Sequence, residues 1–470
     1  MDFSREFGLA PNIIEKDYML GWLLAGISNH EGIHAGWAFK GGTCLKKCYF
    51  ETYRFSEDLD FTITSPEHQN GSLLVDAFRQ IAVWIYENSG IEIPSDEIRF
   101  EVIKSKLGRT NIEGRIHYKS PLGFGGAHPR IKLDLTAEEL VVLDPIERPV
   151  HHPYSDSPET GIQIRSYCFE EIFAEKLRAL GERLRPRDLY DVIHLYRHGI
   201  KGQDRELILG TLKKKCEFKG ISVPNMSTLD AKPERAELES EWEHMLGYQL
   251  PILPQFHEYW KELPAVFEWL LRSVETAAPA VIPFMGERVD QSWHPPAMAQ
   301  AWRINAPIEL IRYAASAHLC VNLSYGGTDR LIEPYSLRQT QDGNLLLYAV
   351  KHATGENRSY RVDRIQNAKV TKISFQPKYA IELAESSPIV IPPMASRSLR
   401  TESRKPRHVS LKRLRAGVGK PVSRMKFIFQ CQVCGRHFIH RSNDFHLDKH
   451  KNKQGYPCSG RTGIFVKMEY

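Results

Sequence analysis

Two aspartates, Asp58 and Asp60, stand two residues apart in the run Arg54-Phe55-Ser56-Glu57-Asp58-Leu59-Asp60-Phe61-Thr62-Ile63. From Asp58 onward polar and apolar residues alternate, which is the period of a strand. Leu59, Phe61 and Ile63 then share one face, and Asp58, Asp60 and Thr62 share the other. The two carboxylates sit about 7 Å apart at their Cα atoms, and like charges that close repel. A divalent cation between them removes the repulsion, and Mg²⁺ favours carboxylate, phosphate and water oxygens. Arg130-Ile131-Lys132-Leu133-Asp134-Leu135-Thr136 repeats the pattern, with Asp134 on the polar face. Three such carboxylates on one side can hold two metals for in-line phosphoryl or nucleotidyl transfer. A half-exposed antiparallel sheet with a polar outer face produces the same alternation without chemistry.

Three further elements must position these groups. Trp37-Ala38-Phe39-Lys40 has strand character and runs through Gly41-Gly42-Thr43 into the helical Cys44–Tyr49. Strand, glycine turn and helix start together bring backbone N–H groups against a phosphate. Phe169–Arg185 reads as an amphipathic helix with Ile172, Phe173, Leu177, Leu180 and Leu184 on its apolar stripe. Glu175 and Lys176 lie in its middle, and a lysine near phosphates can neutralise charge developing in a transition state. Pro186 interrupts it, and a second helix begins at Arg187-Asp188-Leu189-Tyr190-Asp191. Asp188 and Asp191, three apart, are neighbours on one helix face.

A second set of chemistry-bearing residues lies at the other end. Cys431-Gln432-Val433-Cys434 is a Cys-x-x-Cys knuckle, followed by His446, His450 and Cys458. Such a window suits a structural tetrahedral Zn²⁺. Cys431, Cys434, His450 and Cys458 make one ligand set, and Cys431, Cys434, His446 and His450 make the other. The first is favoured because thiolates suit zinc and the second leaves Cys458 spare.

The 470 residues imply several domains, with 42% hydrophobic and 26% charged residues of ordinary globular composition. No apolar run approaches the ~20 residues of a membrane span, and the charged start Met1–Glu6 is not a signal peptide. Eight cysteines in such a length are no disulfide scaffold, so the expected compartment is a reducing cytoplasm. Charge is uneven. Arg397–Tyr470 carries 18 Lys+Arg against 4 Asp+Glu, or +14, whereas the whole chain is +6, which leaves −8 for the remainder. A basic tail on an acidic body points to a polyanionic partner, most simply nucleic acid. Prolines and glycines divide the chain into 1–276, 290–384, a basic linker 385–426 and 427–470.

The order Lys40-Gly41-Gly42-Thr43, Arg54-x-Ser56-x-Asp58-Leu59-Asp60-Phe61, Glu175-Lys176-Leu177-Arg178-Ala179-Leu180 and Arg187-Asp188-Leu189-Tyr190-Asp191 resembles the AbiEii/AbiGii toxin family. Glu15-Lys16-Asp17-Tyr18 is similar to that family as well. The resemblance covers roughly residues 8–270. It implies an α+β, polymerase-β-like nucleotidyltransferase domain with a helical C-terminal part. It implies a toxin of a bacterial toxin–antitoxin, abortive-infection or anti-phage system, with an antitoxin as a partner. The implied reaction moves NMP from an NTP to an RNA acceptor, tRNA serving some relatives, with Mg²⁺ or Mn²⁺ as cofactor. Asp58, Asp60 and Asp134 would hold the metal. Lys40, Gly41, Gly42, Thr43, Ser56 and Lys176 would bind the nucleotide, and Asp191 would complete the catalytic set. Arg54 and Asp188 would support strand and helix.

After one helix, Pro307–Ala317, short alternating stretches follow: Val321–Gly327, Arg330–Leu337, Gly343–Val350 and Arg358–Ile365. Their order resembles a WYL domain, an SH3-like β-barrel, although Leu345, Leu346 and Leu347 occupy the signature position. The resemblance implies a ligand or nucleic acid at Tyr325, Arg358, Arg361 and Arg364, cations for phosphates and a ring for bases. Arg361 and Asp363 share a face, so some of these arginines can simply pair with acids. A competing reading makes the whole chain a catalytically silent, nucleotide-sensing regulator that binds nucleic acid.

Overall fold

The computed structural model describes residues 4, 7–104, 110–123, 126–199, 204–271, 280–283, 288–290, 293, 307–384, 426–431, 433–434, 437–440, 458 and 463–469. They fall into two units, one holding the described residues up to Ala384 and one those from Lys426 onward. The basic stretch 385–425, His446 and His450 lie outside the described residues.

The first unit begins with helices α1 (Pro11–Asn29) and α2 (Glu31–Gly36), then β1 (Trp37–Lys40), whose four side chains are all buried. A single helical turn, α3 (Gly41–Cys44), passes into a wider π-turn at Leu45–Tyr49. Strand β2 (Asp58–Ile63) follows, then α4 (Gly71–Ser89), capped by Asn70 accepting from Ser72 and Leu73. The alternation expected of β2 is present, with Leu59, Phe61 and Ile63 in the core. Strands β3 (Ile98–Lys104), β4 (Thr110–His117), β5 (Arg130–Thr136), β6 (Ile146–Pro149) and β7 (Gln163–Ser166) complete a sheet in the order β3-β4-β5-β2-β1-β7-β6. Two pairings, β2 with β5 and β1 with β7, are parallel, and the others are antiparallel.

The helical part comprises α5 (Phe169–Arg183), α6 (Pro186–Gly199), α7 (Arg205–Lys219), three short helices α8 (Met226–Asp230), α9 (Glu234–Ser240) and α10 (Trp242–Leu246), and α11 (Phe256–Leu271). Leu184, at φ 47°, caps α5 two residues before the expected end at Arg185, and Pro186 opens α6. Proline suits a first helical position because its missing N–H has no partner there anyway.

Helix α12 (Ile308–Ser316) leads into β8 (Leu319–Tyr325), β9 (Thr328–Gln339), β10 (Leu345–Lys351), β11 (Asn357–Arg361) and β12 (Ile365–Ser374). They form an antiparallel sheet ordered β11-β10-β9-β8-β12. The expected continuous strand Arg358–Ile365 breaks at Val362–Arg364, a 3₁₀ turn. One apolar core runs from Met19 in α1 to Val370 in β12, so the transferase part and the sheet share an interior. The second unit is a three-stranded sheet ordered β14-β13-β15, from β13 (Lys426–Cys431), β14 (His437–His440) and β15 (Gly463–Glu469). No helix among the described residues is long and apolar enough to cross a membrane.

Two histidines on α6 join this core. His194 packs between Phe50 and Tyr53, each 4.8 Å away by ring centroids, and 4.4 Å from His198. Burial holds His194 well below the usual imidazole range and, with Arg197 adding, takes His198 down to about 4. The unfolded chain binds protons at these sites near pH 6.5, and the folded chain does not until lower pH. Stability should therefore fall as pH drops from about 6.5. Between pH 7 and pH 5, His194→Phe should lose about 2–4 °C less of its Tm than wild type. Equal losses in a thermal-melt series would overturn this account.

Candidate active site

Strands β2 and β5 lie side by side and parallel, in a register that sets Asp60 opposite Asp134 and Asp58 opposite Lys132. The three predicted carboxylates are thus brought onto one face of the sheet. Burial, together with Asp60 and Asp134 alongside, pushes the Asp58 carboxyl up to about 6. Asp60 is also raised, by burial and by Asp134, against the opposing pull of Lys40, Lys176 and Arg183. Lys132 pairs with Asp134 at 2.9 Å and with Glu113 at 3.2 Å. Half-buried carboxylates side by side, Asp58 and Asp60 resisting ionisation, are a donor set fit for a hard divalent cation, which removes their mutual repulsion.

The glycine turn abuts this row. Gly41 has φ 79°, and a β-carbon there would stand 2.1 Å from Asp60 Oδ2. One on Gly42 would meet Arg54 Nη2 at 2.6 Å and Ser56 Oγ at 3.2 Å. Only glycine lets the backbone lie against both the carboxylate and the arginine. The Thr43 hydroxyl donates to the Asp58 carbonyl, holding the turn to β2. Gly41, Gly42, Thr43 and Ser56 therefore cluster at the carboxylate row.

Lys40 acts on Asp60 by charge, but its ion pairs lie with other carboxylates. Its ammonium pairs with Glu139 at 3.3 Å and Glu175 at 3.7 Å, inside a buried network that continues to Lys215 and Glu171. It thereby fixes β1 to α5, a contact that the sequence reading, which expected Lys40 at the nucleotide, did not include. Asp191, expected to complete the catalytic set, has both oxygens engaged by protein groups. It is fully buried and accepts from Arg54 Nε at 2.7 Å, Arg54 Nη2 at 2.8 Å, Tyr53 and Lys176 at 2.9 Å. These cations hold its carboxyl well below the usual range despite burial. Asp188 pairs with Arg183 at 2.7 Å, so the two aspartates expected to be neighbours serve different arginines.

Three contributors escaped the sequence reading. Arg183 lies seven residues, or two turns, after Lys176 on the same face of α5, a spacing that points to it. Gln249 accepts from Arg54 Nη1 at 3.1 Å, and Tyr53 donates to Asp191. Neither carries a local sequence signal, because each partner is more than a hundred residues away.

The sequence model of the family described as nucleotidyl transferase AbiEii toxin, type IV TA system, matches residues 22–272, more than half of the chain. The chain belongs to this family. It is accordingly a nucleotidyltransferase of the toxin–antitoxin type, as the motif order implied. A WYL domain model matches residues 308–370, which are α12 and the strands after it up to β12. Among solved structures, the nucleotidyltransferase toxin MenT4 of Mycobacterium tuberculosis is 18% identical and covers 55% of this chain and 84% of its own, with a TM-score of 0.36. A Helicobacter pylori protein is 16% identical over 56% of this chain and 93% of its own, at 0.36. Proteasome accessory factor B/C of Arthrobacter aurescens is 13% identical over 61% and 62%, at 0.15. No curated protein matches the chain.

In the WYL part, Arg361 makes a two-pronged pair with Asp363 at 2.8 and 3.1 Å, and Arg358 pairs with Glu356 at 2.9 Å. Tyr325 lies edge-on to Tyr360, and its hydroxyl accepts from the Arg361 N–H. Arg364 is exposed. Arg358 and Arg361 thus answer nearby acids first. In the second unit the sulfurs of Cys431, Cys434 and Cys458 lie within 4.8 Å of one another, and those of Cys431 and Cys458 are 3.8 Å apart. Two thiolates on a tetrahedral zinc, each ~2.3 Å from it, stand about 3.8 Å apart, so the cluster fits that ion.

Gly41→Ala tests the close approach to Asp60. It should cut nucleotide transfer by about 100-fold or more and lower Tm by only a few degrees. Transfer within twofold of wild type would show that Asp60 is not confined by the turn.

Proposed function

We propose that this toxin transfers NMP from an NTP to a hydroxyl of an RNA acceptor, releasing pyrophosphate, with Mg²⁺ or Mn²⁺ held by Asp58, Asp60 and Asp134. The observation that carries the reading is the register of β2 on β5, which lines up Asp60 and Asp134 beside Gly41. A divalent ion bound there supplies charge neutralisation at the α-phosphorus. The acceptor oxygen forms the new bond to that phosphorus as the bond to pyrophosphate breaks, and one of the carboxylates takes the hydroxyl proton. Backbone N–H groups at Gly41–Thr43 and the ammonium of Lys176, backed by Arg183, offset charge on the departing phosphates. Asp191 holds Lys176 and Arg54 in place and touches no substrate.

The tail supports an RNA partner through its charge, and zinc at Cys431, Cys434 and Cys458, with His450 or His446 as a fourth ligand, would fix its fold. An antitoxin would then restrain the activity in the cell.

Incubation of the full chain with each α-labelled ribonucleoside triphosphate, Mg²⁺ and total bacterial RNA should label RNA. Asp58→Ala/Asp60→Ala should lower incorporation by at least about 100-fold. A folded wild-type protein that labels no RNA with any nucleotide would sink the reading. Separately, elemental analysis should find one zinc per chain in wild type and a substoichiometric amount in Cys458→Ser. Full zinc in that variant would remove Cys458 from the site.

A further inference from the structure

The polar face that carries Asp60 and Asp134 does not stop at β5. Ladder register continues it across the sheet, with Glu113 opposite Asp134, Arg115 opposite Lys132 and His117 opposite Arg130. One strand further, Arg99 lies opposite Arg115. Arg99, Arg115, His117 and Arg130 line an open depression of about 440 Å³ together with Glu97. Its charges are not equally free. Arg115 pairs with Glu113 at 2.7 Å and Glu101 at 3.2 Å, and Glu97 with His128 at 2.9 Å. Arg99 and Arg130 are exposed and, among the described residues, neither has a carboxylate within ion-pair distance.

From Asp134 to Arg130 is four residues along one strand, roughly 13 Å. A stacked nucleic-acid strand advances about 3.4 Å per nucleotide, so the depression stands some four nucleotides from the carboxylate row. It also lies on a particular side. Lys176, Arg183 and the glycine turn all meet Asp60 from the β1 and α5 side. An in-line displacement needs the attacking hydroxyl opposite the leaving pyrophosphate. The triphosphate takes the β1 side, which leaves the β5-β4-β3 side for the acceptor.

We propose that the polar face of β5, β4 and β3 is the acceptor track, with Arg99 and Arg130 gripping backbone phosphates of the RNA whose hydroxyl reaches the carboxylate row. Arginine forks match phosphate geometry, and contacts of this kind set position rather than sequence. The proposal rests on the transferase reading above and adds to it the path of the acceptor.

The test uses the full chain, total bacterial RNA and the double variant Arg99→Ala/Arg130→Ala. Both side chains are exposed, so Tm should stay within about 2 °C. The KM for RNA should rise at least tenfold, while the KM for the nucleotide and kcat stay within twofold. Two lost phosphate contacts should reduce the salt slope of RNA binding by about 2. Arg99→Lys/Arg130→Lys should recover most of the RNA KM, since a point charge still meets a phosphate. An unchanged RNA KM, or a nucleotide KM that rises in parallel, would overturn the track. Ultraviolet crosslinking of wild type to the same RNA, without nucleotide, supplies a readout independent of turnover. Crosslinked peptides from 98–134 support the track, and crosslinks confined to 397–470 overturn it. If wild type transfers no label, the transferase reading fails by itself, and the crosslinks still decide where RNA lies.

Discussion

Much of the catalytic domain depends on one buried ion pair, that of Arg54 with Asp191. Arg54 precedes β2 and Asp191 sits on α6, yet the two share a bidentate pair with both partners buried. Tyr53, Gln249 and Lys176 satisfy the remaining atoms around them. Removing one partner from such a pair costs about 3–5 kcal/mol, because the other is left charged and dry. The glycine turn needs Arg54 where it is, since Gly42 packs on its guanidinium. Lys176 needs Asp191 for its own orientation. One ion pair thus sets the lead-in to the carboxylate strand, the glycine turn and the cation of α5.

Around this pair the charges are sorted by side. The carboxylates of β2 and β5 repel one another, and the protein leaves that repulsion largely uncompensated at Asp58. Cations act on Asp60 from β1 and from α5, Lys40 being also paired with Glu139 and Glu175. A buried lysine with two carboxylate partners holds its proton firmly, and its pKa is raised despite burial. Such a group suits scaffolding, in the way that a lysine meant for phosphates does not.

The carboxylate strands were legible because a period of two exposes its polar face to inspection. Asp58, Asp60 and Asp134 all declared themselves by alternation, and the glycine turn by its position between strand and helix. What alternation cannot show is which strand lies beside which, and only the parallel register of β2 on β5 turns two patterns into one site. The partners that the sequence did not show share a cause. Lys40 and Asp191 have the right residue types near the right motifs, and their partners, Glu139 and Arg54, lie 99 and 137 residues away. The four-ligand zinc set, by contrast, is local in sequence, and three of its thiols do converge.

The same long-range logic reaches the WYL part. Arg312 of α12 is buried and donates to Glu51 at 3.1 Å and Glu309 at 3.0 Å. Glu51 lies just after the π-turn, on the stretch that carries Arg54 and then Asp58. Burial lifts its carboxyl to about 7 even with Arg312 beside it, so without that guanidinium two acids would face each other in a dry interface. His198 of α6 meets Ser316 of α12 in the same seam. Uncompensated buried charge is expensive enough to tie neighbouring elements into one unit. The sheet following α12 is therefore no loosely tethered appendage, because its first helix supplies a cation on which the approach to the carboxylate strand is built.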